Sequence, residues 1–105
     1  MLGTFEFALV TAVISLNDNA YGVTIRQRLE SLLAKPVAIG AVYTTLARLE
    51  DKGLVSSYMG EPTPERGGRS KRYYRLEAAG QAAFAATLAE HDRLRHILPP
   101  GSVPA

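Results

Sequence analysis

The chain has 105 residues, a length that fits one domain, and an apolar fraction of 47% that can supply a hydrophobic core. It has no cysteine, which excludes disulfides, thiolate catalysis and zinc–cysteine sites and suits a reducing compartment, so we expect a cytoplasmic protein. The net charge is only +2, there is no run of about eighteen apolar residues that could span a membrane, and the apolar N-terminus lacks the basic region of a signal peptide.

The first predicted element is a helix over residues 4–16, with Thr4 as its candidate N-cap. One apolar stripe of this helix is expected to face the core. A second stripe, formed by Phe7, Val10 and Ile14, needs another surface to pack against. That surface is either the rest of the same chain or a second subunit, and the pattern leaves both alternatives open.

A turn at residues 17–19 separates this helix from a second one, predicted from about residue 20 to residue 33 because apolar side chains recur on one face. The residue before Pro36 is disfavoured in a helix, so the Lys35-Pro36 pair ends it. Residues 36–39 are expected to be extended and to lead directly into a third helix.

The third predicted helix covers residues 40–52, and Gly53 ends it because glycine readily adopts a positive φ. Its apolar face is formed by Val42, Leu46 and Leu49, which should pack inward. Its other face is small, polar and singly basic. That face comprises Ala41, Tyr43, Thr44, Ala47 and Arg48. Such a face could enter the major groove of DNA, although ordinary amphipathic surface helices look similar.

After Gly53 the pattern predicts two strands, 54–59 and 70–76, joined by a loop rich in proline and glycine. Alternation along the second strand places Lys71 and Arg72 on opposite faces. Three helices followed by a long hairpin form a winged helix-turn-helix. The predicted fold is therefore mainly α with a small β-hairpin, and residues 1–77 form its winged domain.

The hairpin, or wing, is strongly basic over residues 66–75. These ten residues carry five positive side chains and no acid. The basic side chains are Arg66, Arg69, Lys71, Arg72 and Arg75. A basic loop is often only a solvated surface, but this one follows directly after the candidate groove helix. The arrangement favours contacts to phosphates and to a minor groove beside that helix.

A last helix is predicted over residues 78–98, followed by a disordered tail at 99–105. This helix comes after the winged domain is complete and has little core of its own to fill. We therefore expect a C-terminal dimerisation helix that docks on residues 5–16, partly across a two-fold axis. The expected interface residues are Phe7, Val10, Ile14, Phe84, Leu88 and His91.

The sequence offers no recognisable set of catalytic residues. Its only histidines are His91 and His96, and no Ser–His–acid set has a recognisable spacing. His91 with Asp92 is interpreted as a helix-surface pair rather than a metal site. We therefore expect no enzyme activity, no metal and no cofactor.

Several motifs resemble those of the PadR-like transcriptional regulators, over roughly residues 3–90. They are Ala20-Tyr21-Gly22, Gly40-Ala41-Val42-Tyr43, Lys52-Gly53-Leu54-Val55 and Gly68-Arg69-Ser70-Lys71-Arg72-Tyr73-Tyr74-Arg75-Leu76 followed by Gly80. The resemblance implies a homodimeric bacterial repressor whose third helix reads an operator and whose terminal helices form the dimer. Position 44, commonly proline in this family, is threonine here.

By position, the resemblance also implies which residues contact DNA. They are Tyr43, Thr44 and Arg48 on the helix and Arg69, Lys71 and Arg72 on the wing, to which the basic run adds Arg66. The expected function is therefore a sequence-specific regulator bound to a double-stranded DNA operator. The alternative is a winged-helix module that binds a protein partner. A cavity at the dimer interface could receive a small-molecule effector, which the sequence does not identify.

Overall fold

The computed structural model describes residues 2–61 and 70–102, which form four α-helices and one two-stranded antiparallel hairpin. The elements are α1 (Thr4–Leu16), a short 3₁₀ turn (Asn17–Asn19), α2 (Gly22–Leu33), α3 (Ile39–Asp51), β1 (Val55–Met59), β2 (Arg72–Leu76) and α4 (Ala78–Ile97). The predicted fold class, mainly α with a small β-hairpin, is confirmed.

Helix α1 has the predicted bounds but a different N-cap. Thr4 is already helical, and the N-cap is Gly3. The side chain of Glu6 folds back onto this cap, where the Gly3 amide donates a hydrogen bond to Glu6 Oε1 at 3.0 Å. The carboxylate thus satisfies one of the amides that a helix start leaves without a partner.

Helix α2 begins at Gly22, two residues later than predicted, because Ala20 and Tyr21 pair with β2 instead. The Tyr74 amide donates to the Ala20 carbonyl at 2.8 Å, and Tyr21 forms a β-bridge with Tyr73. A tertiary hydrogen bond therefore outweighs the local helical preference. The helix ends as predicted at Leu33, where the next residue takes a left-handed conformation.

Helix α3 begins one residue earlier than predicted, and its apolar face packs inward as expected. Val42, Leu46 and Leu49 are fully buried. Thr44 lies well inside the helix, so the threonine at this position does not mark its start. Gly53 has a φ of 74°, which confirms the predicted glycine stop.

The hairpin and α4 complete the domain. Val55 lies opposite Leu76 at the base of the hairpin, and Met59 lies opposite Arg72 near its tip. Tyr74 points into the core, where burial raises the pKa of its hydroxyl. The proximal half of α4 rests on the start of α1, with the Leu2 amide donating to the buried Thr87 hydroxyl at 3.3 Å. Every described residue beyond position 90 is exposed.

Candidate nucleic-acid interface

The outward face of α3 presents the side chains that the sequence assigned to it. Ala41, Tyr43, Thr44, Ala47 and Arg48 are all exposed. We find no hydrogen bond from the Arg48 guanidinium to any residue that the structure describes. Most side chains of this face are therefore short or polar, with one cation near the C-terminal end of the helix, and the face can enter the major groove, which is wide enough to admit an α-helix.

Arg72 is held beside this face by a chain of hydrogen bonds. Its Nη1 donates to Ser57 Oγ at 3.0 Å, and Ser57 Oγ donates to Glu50 Oε2 at 2.8 Å. Glu50 belongs to the last turn of α3, so the chain joins the second strand of the wing to the groove helix. The sequence pattern did not identify Ser57 or Glu50 as part of this interface. The hairpin register would have identified Ser57, because it places Ser57 opposite Tyr74, which lies two residues from Arg72 on the same face of the hairpin.

Lys71 lies on the other face of the wing. Its Nζ sits 4.6 Å from the centre of the Tyr21 ring, in cation–π geometry. Tyr21 meets Tyr73 edge to face at 5.5 Å, and Tyr73 stacks on Tyr58 at 5.7 Å. Because Tyr21 precedes the first turn of α2, Lys71 is placed at the N-terminal end of that helix.

Helices α2 and α3 form the helix-turn-helix unit, and each face of the wing places one cation next to one of these two helices. Arg72 stands at the C-terminal end of α3 and Lys71 at the N-terminal end of α2. Arg66 and Arg69, the other two predicted wing contacts, lie outside the described residues, and their roles stay predictions.

The six residues expected at a dimer interface fall into different environments. Phe7 is already covered by its own chain, since its ring stacks on Phe84 at 5.4 Å and on His91 at 5.0 Å. Val10 is only 1% exposed and belongs to the core, so its placement on a subunit surface is corrected. Ile14 and Leu88 are 41% and 49% exposed and remain available to a partner.

The distal part of α4 adds apolar surface that the sequence assignment left out. Leu94, Ile97 and Leu98 are 57%, 76% and 48% exposed. The expected pairing of His91 with Asp92 is not formed. Asp92 instead lies 3.7 Å from His96 Nδ1, one helical turn further on, because residues four apart share a helix face.

A cavity of about 260 Å³ opens where the end of α1 meets β2 and the start of α4. It is lined by Val13, Ile14, Asn17, Arg75, Leu76 and Gln81. The small-molecule effector, which was expected in a cavity at the dimer interface, stays a prediction. The described residues hold no cluster of three or more side chains suited to a metal ion. Nor does any helix among them combine the length and apolar content needed to cross a membrane.

Comparisons with known proteins agree on one family. The model of the transcriptional regulator PadR-like family matches residues 10–86. A search of curated proteins finds no significant match.

Solved structures show the same fold. A PadR-like transcription factor from Bacteroides fragilis is 25% identical, with a TM-score of 0.71 over 90% of this chain and 86% of that one. A PadR family transcription regulator from Clostridium difficile R20291 is 23% identical, with a TM-score of 0.73 over 90% and 94%. A PadR-like regulator from Bacillus cereus is 18% identical, with a TM-score of 0.74 over 90% and 87%. The winged-helix arrangement is thus shared, and the chain belongs to the PadR-like family of transcriptional regulators.

Proposed function

We propose that the protein is a sequence-specific DNA-binding regulator that acts as a homodimeric repressor in the cytoplasm. The observation that carries the proposal is the exposed, polar face of α3 with Arg72 tied beside it through Ser57 and Glu50. A helix that fits the major groove and a cation fixed next to it are the two parts that winged-helix DNA recognition needs.

The proposed contacts divide into two kinds. Arg48, Thr44 and Tyr43 lie on the helix face and are proposed to meet base edges or nearby phosphates in the major groove. Lys71 and Arg72 are proposed to contact phosphates beside that groove, because they stand on opposite faces of the wing, one next to α2 and the other next to α3. Phosphate contacts fix the register, and contacts to bases supply the sequence preference.

The homodimer is proposed from the unpaired apolar surface of α4. Leu88, Leu94, Ile97 and Leu98 are half to three-quarters exposed on a helix that extends past the body of the domain. A helix with this much exposed apolar surface is stabilised by pairing with another helix. A second copy on this surface, with Ile14 at its edge, would present two α3 helices to DNA. The repressor role itself is inferred from the family resemblance.

The competing function is a winged-helix module whose basic wing binds an acidic protein partner. DNA binding and its salt dependence distinguish the DNA-binding regulator from this protein-binding module. The purified full chain is used to enrich duplexes from a random pool of about 40 base pairs, long enough for two half-sites one or two helical turns apart. Binding to an enriched duplex and to an unrelated one is then measured by fluorescence anisotropy at several salt concentrations.

We expect enrichment of a two-fold symmetric sequence, and an affinity that falls steeply with salt because counterions are released from the phosphates. An absence of enrichment, with no binding to either duplex at low salt, would overturn the proposal and favour the protein-partner module. To test repression, the enriched sequence is placed so that it overlaps the promoter of a reporter gene, and reporter expression is compared with and without the protein.

A further inference from the structure

Gly22 and Tyr43 lie against each other across the helix-turn-helix unit. Gly22 is the first residue of α2 and is buried, whereas Tyr43 projects from α3 and is 48% exposed. A Cβ atom at position 22 would lie 2.5 Å from Tyr43 Cζ and 3.0 Å from its Cε1, and it would overlap the hydroxyl oxygen. The phenol end of Tyr43 therefore occupies space that is free only because residue 22 has no side chain.

The backbone just before Gly22 is held in place by three hydrogen bonds. The Ala20 carbonyl accepts the hydrogen bond from Tyr74, and the Tyr21 amide donates to Thr24 Oγ1 at 3.0 Å. Thr24 Oγ1 in turn donates to the Asn19 carbonyl at 2.6 Å. With the start of α2 fixed to β2 and to the preceding turn, a side chain at position 22 would displace the Tyr43 ring rather than the helix.

We infer that Gly22 is a positioning residue for DNA recognition: by accepting the phenol end of Tyr43, it fixes the direction in which the ring stands on the outward face of α3. The inference rests on the proposed function, in which this face meets the groove. Gly22 itself is buried and touches no DNA. Its effect passes entirely through Tyr43, so any substitution that fills this space should matter only while the tyrosine is present.

The test is a double-mutant cycle with Gly22→Ala, Tyr43→Ala and the double variant. We expect Gly22→Ala to lower affinity for the enriched duplex by about tenfold in the wild-type background and by less than about twofold in the Tyr43→Ala background. Affinity for an unrelated duplex should stay unchanged, because it depends on phosphate contacts. Equal losses in both backgrounds would overturn the inference, since Gly22 would then act independently of Tyr43.

A second measurement needs no DNA. The ring protons of Tyr43 should show nuclear Overhauser effects to the Gly22 α-protons in the free wild-type protein. Gly22→Ala should shift the ring signals. Gly40→Ala is the matched control: it too changes a glycine in the first turn of a helix, but a Cβ there meets nothing within 4 Å. It should leave both the Overhauser effects and the ring signals as they are.

Absence of the Gly22–Tyr43 effects in the wild-type protein would overturn the inference even if operator binding were strong. If these Overhauser effects are present but the protein enriches no DNA sequence, the proposed function is overturned, whereas the contact between Gly22 and the Tyr43 ring is still supported. Unfolding midpoints of all variants show that each is folded. We expect them to stay close to wild type, because the end of a tyrosine side chain can swing aside and alanine favours a helix.

Discussion

At the scale of single residues, the interface depends on how its cations are held. Arg72 donates to Ser57, and Ser57 donates to Glu50, so the guanidinium is oriented before any ligand arrives. Orientation in advance reduces the entropy lost when a long side chain is ordered on binding. Only one nitrogen of Arg72 is engaged in this contact, which leaves further donors for a phosphate.

Arg72→Ala should therefore weaken binding to the enriched and the unrelated duplex by the same factor. The slope of log affinity against log salt should flatten by about one unit per subunit, because one phosphate contact is lost from each. Fluorescence anisotropy at several salt concentrations measures both effects. Arg93→Ala, which removes the same charge from an exposed site on α4, is the control and should leave the slope unchanged. If Arg72→Ala behaves like the control, Arg72 does not contact DNA.

Periodicity in the sequence was sufficient to predict which side chains of α3 are exposed. Val42, Leu46 and Leu49 repeat at helical spacing, and the remaining positions must then face outward. The contacts of Gly22 with Tyr43 and of Ser57 with Arg72 could not be predicted in this way. They depend on how two elements approach each other, and helical or strand spacing carries no information about that.

At the scale of the elements, one carboxylate links the start of α1 to the end of α3. Glu6 Oε1 accepts from the Gly3 amide, and Glu6 Oε2 lies 3.2 Å from Lys52 Nζ. The hydrogen bond from the Gly3 backbone lowers the pKa of Glu6 below its usual value of 4.5, and the hydrogen bond and charge of Lys52 add to this effect against the opposing effect of burial. A lowered pKa in the folded state stabilises the fold above pH 4.5, and this contribution is lost as the pH falls through the lowered value.

Glu6→Gln should consequently lower the midpoint of thermal unfolding at neutral pH, because the amide keeps the shape of the side chain but loses the charge. The difference from wild type should shrink as the pH falls below 4.5, and it should be smallest below the lowered pKa, where Glu6 is protonated in the folded protein as well. Thermal unfolding followed by circular dichroism over a pH series tests this. Glu61→Gln, at an exposed carboxylate near the hairpin tip, is the comparison. A difference between wild type and Glu6→Gln that stayed constant with pH would contradict the assigned role.

The predicted bounds of the elements were wrong where tertiary hydrogen bonds compete with local preference. Residues 20 and 21 look helical in sequence, but Ala20 accepts the hydrogen bond from Tyr74 and extends the hairpin instead. Thr4 has the chemistry of an N-cap, yet the N-cap is the residue before it, Gly3, whose amide donates to the Glu6 carboxylate. The long helices themselves were predictable, because their apolar residues repeat over three or more turns.

At the scale of the whole molecule, the distal half of α4 exposes the apolar side chains of Leu94 and Ile97, and no residue that the structure describes buries them. The sequence predicted that this helix would lack a core to fill. It did not separate Val10, which is buried, and Phe7, which is partly covered by Phe84 and His91, from the exposed Ile14, because all three lie on one stripe of α1. Only the packing of the other helices decides which part of that stripe is covered.

A charge at Leu88 should shift the protein toward monomer. Leu88→Glu would place a carboxylate in the proposed apolar interface and should raise the dimer dissociation constant at least about tenfold, or about 1.4 kcal/mol. Sedimentation over a range of protein concentrations measures the change. Leu32→Glu is a matched control, because both leucines are 49% exposed and Leu32 lies on α2, outside the proposed interface. If the two variants sediment equally, the dimer interface does not include Leu88.

The most direct test of the account is to map the DNA-contacting surface on the protein by NMR. Isotope-labelled full-length chain is titrated with the enriched duplex, and the backbone amide and arginine side-chain signals are followed. The account predicts the largest changes at Tyr43, Thr44 and Arg48 on α3 and at Lys71 and Arg72 on the wing. Changes confined to the distal part of α4, with these five residues unaffected, would contradict it, because the groove helix would then play no part in binding.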